Sequence, residues 1–371
     1  MLVHQVLRRT MRLISLSVAT AAVAAGTAGI STAAVDGVDS GSVHAAGGPV
    51  YSITDRLARQ LAATLPDDAG LFTAAAGHPV TLSSGTGNAA LDQAVRLADR
   101  AVLAAKGLPV DGTPLLQLRL AHPDMRATLA NGAAPVVAAA PTDDAVTAVT
   151  AYDFHGGAVT LDAVTLPQRP VFVVDVDITK ALPMGLNVIR TTLGAHGITG
   201  VEPPAITTSG YWATQVRAVR LSDDKEPWIK GAAEIFGVAG GFGLDGHVKI
   251  DTVTMPYLDY DGTTYYPNQL IVHFSAYRYN LADFVMMEDD GDTNYLSLAL
   301  ALTDALLTII DQGAYIPLAN AILNAMPNSW WTDDPDYVDS WYTLSTTSSG
   351  RFYGAAANGW MDLAPYWVAP L

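Results

Sequence analysis

Between Tyr51 and Leu65 the apolar residues Ile53, Leu57, Leu61 and Leu65 fall at every fourth position and Pro66 stops the run, a spacing that predicts a short amphipathic helix. A second helix is predicted from about Asn88 to Lys106, with the stripe Leu91, Val95, Ala98 and Val102, and Gly107 and Pro109 end it. The pattern then changes to short apolar runs broken by Pro, Gly and Asp: Leu115 to Leu120, Pro135 to Ala139, Val146 to Tyr152, Ala158 to Leu161 and Val171 to Ile178. Runs of this length read as strands, and His155-Gly156-Gly157 reads as a hairpin turn between two of them. Residues 50–204 therefore predict a mixed α+β domain, bounded by Glu202-Pro203-Pro204.

Beyond that boundary, aromatic-rich strands predominate. Leu270, Val272 and Phe274 alternate with Ile271, His273 and Ser275, and Phe284 alternates with Met286, as the two faces of a sandwich strand require. The leucines from Tyr295 to Ile310 are too dense for a strand, and with Ala319 to Met326 they predict one or two helices inserted between strands. Strand-like sequence returns at Trp341 to Leu344, Phe352 to Ala355 and Trp360 to Val368, and no repeat of fixed period appears. The expected fold class is α+β, with a C-terminal antiparallel β-sandwich over residues 205–371.

The N-terminus changes the picture of location. Arg8, Arg9 and Arg12 precede the apolar segment Leu13 to Ala25, and Thr32-Ala33-Ala34 offers a small-residue cleavage site, which reads as a secretory signal peptide over residues 1–34. The arginine pair also permits twin-arginine export, and residues 35–49 read as a flexible mature N-terminus. Cysteine is absent, so disulfides and thiolate chemistry are excluded, and stability has to come from an apolar core or a bound metal. The formal charge of −16 and the scattered basic residues argue against a nucleic-acid partner, and no membrane span is expected in the mature chain.

The acids are clustered, and this is the sharpest chemical signal. Asp223, Asp224 and Glu226 stand in a loop before the apolar run that ends at Phe236; Asp259 and Asp261, then Glu288, Asp289, Asp290 and Asp292, repeat the design. Calcium takes six to eight oxygens from converging carboxylates and carbonyls, so these nine residues are the expected ligands of a calcium site if their loops meet. Asp333, Asp334, Asp336 and Asp339, flanked by Trp330, Trp331, Trp341 and Tyr342, could form a fourth loop. An EF-hand is excluded: counted from Asp290, the sixth and twelfth positions hold Tyr295 and Ala301 rather than Gly and Glu. The competing reading is that the acids are solvated turns, where Asp is common for backbone reasons.

Several segments together resemble an uncharacterised family of exported bacterial proteins, domain-of-unknown-function family 3103: LLQLRLAHPDM from Leu115, RPVFVVDVDITK from Arg169, DDKEPWIKGAAEIF from Asp223, MPYLDYDGTTYYPNQL from Met255 and EDDGDTNY from Glu288. The resemblance implies export and carries no catalytic residue. The acidic strand–loop segments also resemble the calcium loops of C2-like β-sandwiches, as an architectural analogy.

Asp175 and Asp177, read on one face of a strand, are the candidate acid–base pair of a secreted hydrolase. The nucleophile elbow G-x-S-x-G and the zinc helix H-E-x-x-H are absent, and Ser83-Ser84-Gly85-Thr86-Gly87 lacks the Lys-Ser/Thr of a phosphate loop. His247 and His273 read as strand residues rather than ligands. The sequence thus predicts an exported protein that binds a surface, polymer or protein and carries a structural calcium site, with carboxylate hydrolysis as the alternative.

Overall fold

A computed structural model describes residues 47–66, 69–82, 88–143, 146–199, 209–223, 228–231, 233–260, 262–289, 291–325 and 337–370. All of these lie in one compact unit, His44–Leu371; the predicted signal peptide falls outside the described residues.

The first half runs α1 (Pro49–Thr64), α2 (Ala69–Gly77), β1 (Val80–Thr81), α3 (Ala89–Ala105), β2 (Leu116–Leu120), α4 (Met125–Ala130), β3 (Val136–Ala139), β4 (Ala148–Tyr152), β5 (Ala158–Asp162), β6 (Val171–Val176) and α5 (Ile178–Ala195). The strands form one sheet in the order β1-β2-β6-β3-β4-β5, in which β3 and β6 are parallel and every other pair is antiparallel. Both predicted helices are present. The Asn88 side chain accepts from the Ala90 and Leu91 N–H groups and caps α3, and Gly107 ends the following turn at φ +64°. The predicted turn at 155–157 joins β4 to β5, with Gly156 at φ +80°.

One reading is corrected here. The strand through Asp175 ends at Val176, and Asp177 stands at the N-cap of α5, so the two carboxylates do not share a strand face. The helix buries Ala181, Leu182, Leu186, Ile189 and Leu193 along one stripe, and this burial outweighs Pro183 in its interior.

The second half runs β7 (Tyr211–Leu221), β8 (Ile235–Phe242), β9 (Val248–Thr254), β10 (Gln269–His273), β11 (Leu281–Glu288), α6 (Tyr295–Leu307), α7 (Ala319–Ala325), β12 (Tyr337–Ser345), β13 (Gly350–Tyr353) and β14 (Gly359–Val368). Two four-stranded antiparallel sheets result, ordered β10-β7-β14-β13 and β12-β11-β8-β9. They face each other over a common core in which Val216, Val219, Ile271, Met361 and Leu363 of one meet Ile235, Ala239, Phe284, Met286 and Trp341 of the other, the arrangement of a sandwich.

The second sheet is covered on both faces. Phe236, Val238, Phe242, Val285 and Met287 point away from the sandwich interior into a larger core shared with Leu298, Leu302 and Leu306 of α6 and with the six-stranded sheet. That is why β8, IFGVAGGF, is buried at every position and shows no alternation. The helices predicted between strands are α6 and α7, and α6 packs on α5. Gly185 permits that contact: a Cβ there would stand 2.3 Å from the Tyr295 ring.

Candidate functional site

The described parts of the acidic loops are linked through the ends of the strands that carry them. Gly262 N–H donates to the Leu221 carbonyl at 2.9 Å, so the loop carrying Asp259 lies beside the chain leading into Asp223. Asn358 extends this neighbourhood: its Nδ2 donates to the Asp223 carbonyl at 2.9 Å and to the Val338 carbonyl at 3.3 Å, next to Asp339. The described flanks of three of the four predicted loops are therefore joined at one end of the sandwich. Burial holds the Asp259 carboxyl above the ordinary aspartate range. Asp224, Glu226 and Asp261 lie outside the described residues, as do Trp330, Trp331 and Asp333 to Asp336.

Asp339 is fully buried and serves the backbone. Its two oxygens accept the N–H groups of Ser340 and Ala356 at 2.8 Å, Asn358 at 2.9 Å and Gly359 at 3.0 Å, which builds the turn between β13 and β14. Trp341 packs in the sandwich core and donates to the Phe352 carbonyl, whereas Tyr342 is exposed.

The fourth loop, 288–292, leaves β11 beside the start of β12, where Met287 pairs with Tyr337, and then turns to the N-terminal half. Lys106, at the end of α3 and fully buried, places Nζ 3.2 Å from Asp289 Oδ1 and 2.8 Å from the Gly291 carbonyl. The Tyr295 hydroxyl donates to the same Asp289 carboxylate, and Asp289 N–H donates to the Glu234 carbonyl. Glu288 is buried at the end of β11, and Asp292 accepts Val50 N–H at 3.2 Å from α1 while burial raises its pKa. A buried carboxylate already neutralised by an ammonium is a poor cation ligand. Asp290 lies outside the described residues. Among the described residues no group of three or more His, Asp or Glu side chains is placed to hold a metal ion, so a shared ion would need Asp224, Glu226 or Asp261.

The candidate hydrolytic pair is engaged in the same structural way. Arg119 bonds Asp175 Oδ2 through Nε at 2.9 Å and Nη2 at 2.8 Å, and Nη2 also donates to the Ile229 and Lys230 carbonyls ahead of β8. Asp177 accepts from Thr179 Oγ1 at 2.5 Å and pairs with Lys180 at 2.7 Å. At the carboxyl ends of parallel β3 and β6, where ligands of such sheets commonly bind, Thr142, Asp175, Lys230, Glu234 and Asp289 line a cavity of about 40 Å³. That volume suits a few water molecules or a single ion.

The larger concavity is on the sandwich, and it is built from residues that carried no role in the sequence reading. After β9 the chain folds back through Pro256 and Tyr257, reaches the Asp259 tip, and returns through Tyr265, Tyr266 and Pro267 into β10. Tyr265 exchanges both backbone hydrogen bonds with Val219 on β7, which fixes the return arm. Thr254 and Gln269 close an open groove of about 550 Å³ between these arms. Tyr257 Oη donates to Gln269 Oε1 at 2.7 Å and Gln269 Nε2 donates to the Thr254 carbonyl at 2.8 Å, while burial raises the Tyr257 phenol. The signal was visible as four tyrosines between Pro256 and Pro267, but composition alone does not distinguish a groove from a core.

His273, on β10, stands with its Nδ1 3.1 Å from Tyr211 Oη, and burial lowers its pKa against the opposing pull of Asp251. His247 lies in the turn between β8 and β9, bridged to Ile310.

A family model described as a protein of unknown function, DUF3103, matches residues 55–371. The chain belongs to this family. The DUF3103 match begins inside α1 and takes in the six-stranded sheet, the sandwich, the acidic segments and the tyrosine groove. The DUF3103 description assigns no activity, and neither a curated protein nor a solved structure matches the chain. No helix among the described residues is long and apolar enough to cross a membrane.

Proposed function

We propose that this member of the DUF3103 family is an exported binding protein that grips a surface, polymer or protein through the groove between Tyr257 and Tyr266. In this reading calcium ties the adjacent acidic loops, as in C2-like sandwiches. The observation that carries it is the double use of one loop. Residues 255–268 supply most of the groove, and the tip of the same loop is held against the acidic chain after β7 by the Gly262–Leu221 hydrogen bond. An ion shared by Asp223, Asp224, Glu226, Asp259 and Asp261 would offset carboxylate repulsion and stiffen that wall of the groove.

The hydrolase reading is less well supported, because Asp175 and Asp177 are held in ion pairs. The test is thermal unfolding of the mature protein in EDTA, then with calcium or magnesium. At free calcium a hundredfold above its dissociation constant, one site contributes about 2.7 kcal/mol, an easily measured rise in melting temperature. A calcium-selective rise that Asp259→Ala abolishes supports the metal-tied loop; equal melting in EDTA, calcium and magnesium removes calcium from the account. Turnover on a peptide, ester or glycan panel that disappears in Asp175→Asn would restore the hydrolase reading.

A further inference from the structure

The groove's chemistry is narrower than its volume suggests. Its floor is aromatic: the Tyr257 and Tyr265 rings stand 6.1 Å apart with their planes tilted by 47°, and Tyr266 is 72% exposed beside them. Pro256 and Pro267 stiffen the two arms, so this wedge is largely formed before a ligand arrives. Its polar atoms are unevenly committed. Both ends of the Gln269 amide are engaged, by Tyr257 Oη and the Thr254 carbonyl. Tyr265 Oη accepts Tyr260 N–H at 3.1 Å, which leaves its own proton to donate.

A sugar carries hydroxyls on every edge and needs several side chains that both give and take hydrogen bonds; here Gln269 is the one lining amide, and half of its hydrogen-bonding capacity already serves the protein. A polyproline helix makes the opposite demand. It has no N–H to satisfy, offers carbonyl acceptors to tyrosine hydroxyls, and lays pyrrolidine rings against aromatic faces without an ordering cost. Charge adds a second constraint: the chain is formally −16, and the loop that forms the groove carries Asp259 and Asp261. Among the described residues no donor or cation reaches the Asp259 carboxylate, whose pKa is raised by burial alone.

We infer that the groove between Tyr257 and Tyr266 binds a proline-rich peptide segment of a partner protein, with an arginine or lysine flanking the prolines and competing with calcium for the Asp259 side of the loop. This rests on the reading of the groove as the binding surface and adds the class of its ligand.

The test is fluorescence anisotropy on the mature chain in EDTA, titrated against a labelled polyproline peptide ending in arginine. Saturable binding is expected, weakened about tenfold by Tyr266→Ala and unchanged by Tyr353→Ala on β13, an equally exposed tyrosine remote from the groove. Removing the terminal arginine should weaken binding a few-fold in the wild type and have no effect in Asp259→Asn. Absence of peptide binding, or binding indifferent to Tyr266→Ala, overturns the inference. Binding of a cello- or chito-oligosaccharide that depends on Tyr266, with no peptide binding, also overturns it while leaving the groove as the binding surface.

Discussion

Replacing Lys106 by Met tests how the 288–292 loop is held. The ammonium is fully buried with Asp289, bonded to both of its oxygens at 3.2 and 3.4 Å and to the Gly291 carbonyl at 2.8 Å, so methionine keeps the stem and removes every one of these bonds. What remains is a buried carboxylate whose principal partner is the Tyr295 hydroxyl. Breaking a buried pair from one side costs about 3–5 kcal/mol, far more than the pair contributes over an apolar replacement of both. For a unit of this size that corresponds to a fall in melting temperature of roughly 4–7 °C. The double variant Lys106→Met with Asp289→Asn removes both charges of the pair and should recover most of the loss. The coupling energy from the cycle should then exceed about 2 kcal/mol. Denaturant unfolding of the four proteins at neutral pH measures this directly. Single variants within about 0.5 kcal/mol of wild type, or a double variant less stable than either single one, would refute the assignment of Lys106 as the counter-ion of this loop.

Other outcomes follow from the same geometry. Asp339→Ala strands four buried or half-buried N–H groups at the β13–β14 turn and should cost about 2–4 kcal/mol in chemical denaturation, although Asp339 sits in an acidic segment that looks like surface. Asp292 has a folded pKa raised by burial, so the folded state holds its proton more tightly; its contribution is greatest below the unfolded aspartate pKa and is lost as pH rises through the folded value. Asp292→Asn should therefore be more stable than wild type at neutral pH, with the advantage shrinking as melts are repeated toward pH 4. Gly185→Ala pushes a methyl group into the Tyr295 ring between α5 and α6 and should lower stability by about 1–3 kcal/mol.

Elements with one dominant local signal were legible in the sequence. The stripes of α1 and α3 and the left-handed Gly107 stood in the pattern because each rests on residues a few positions apart. The helix α5 was hidden: FVVDVDI reads as strand to its end, Pro183 reads as a breaker, and only packing against α6 and β9 pays for the helix that forms. The acids illustrate the same divide. Their clustering was plain, yet Asp289 meets a lysine 183 residues earlier in the chain, Asp175 an arginine 56 residues earlier, and Asp339 a turn 17 to 20 residues later. Side chains that neutralise or cap at such separations leave no spacing to read. Tyr257, Tyr265 and Tyr266 were likewise visible as aromatic residues, but their groove exists only because Tyr265 pairs with Val219 and turns the loop back on itself.

The most direct test is calorimetric titration of calcium into EDTA-stripped mature protein and into Asp224→Ala, Asp259→Ala and Asp290→Ala. The account predicts that Asp224→Ala and Asp259→Ala weaken binding together, since their loops are joined through Gly262 and Leu221, while Asp290→Ala, in the loop held by Lys106, leaves the affinity unchanged. Unchanged affinity in all three, or a loss confined to Asp290→Ala, would contradict it.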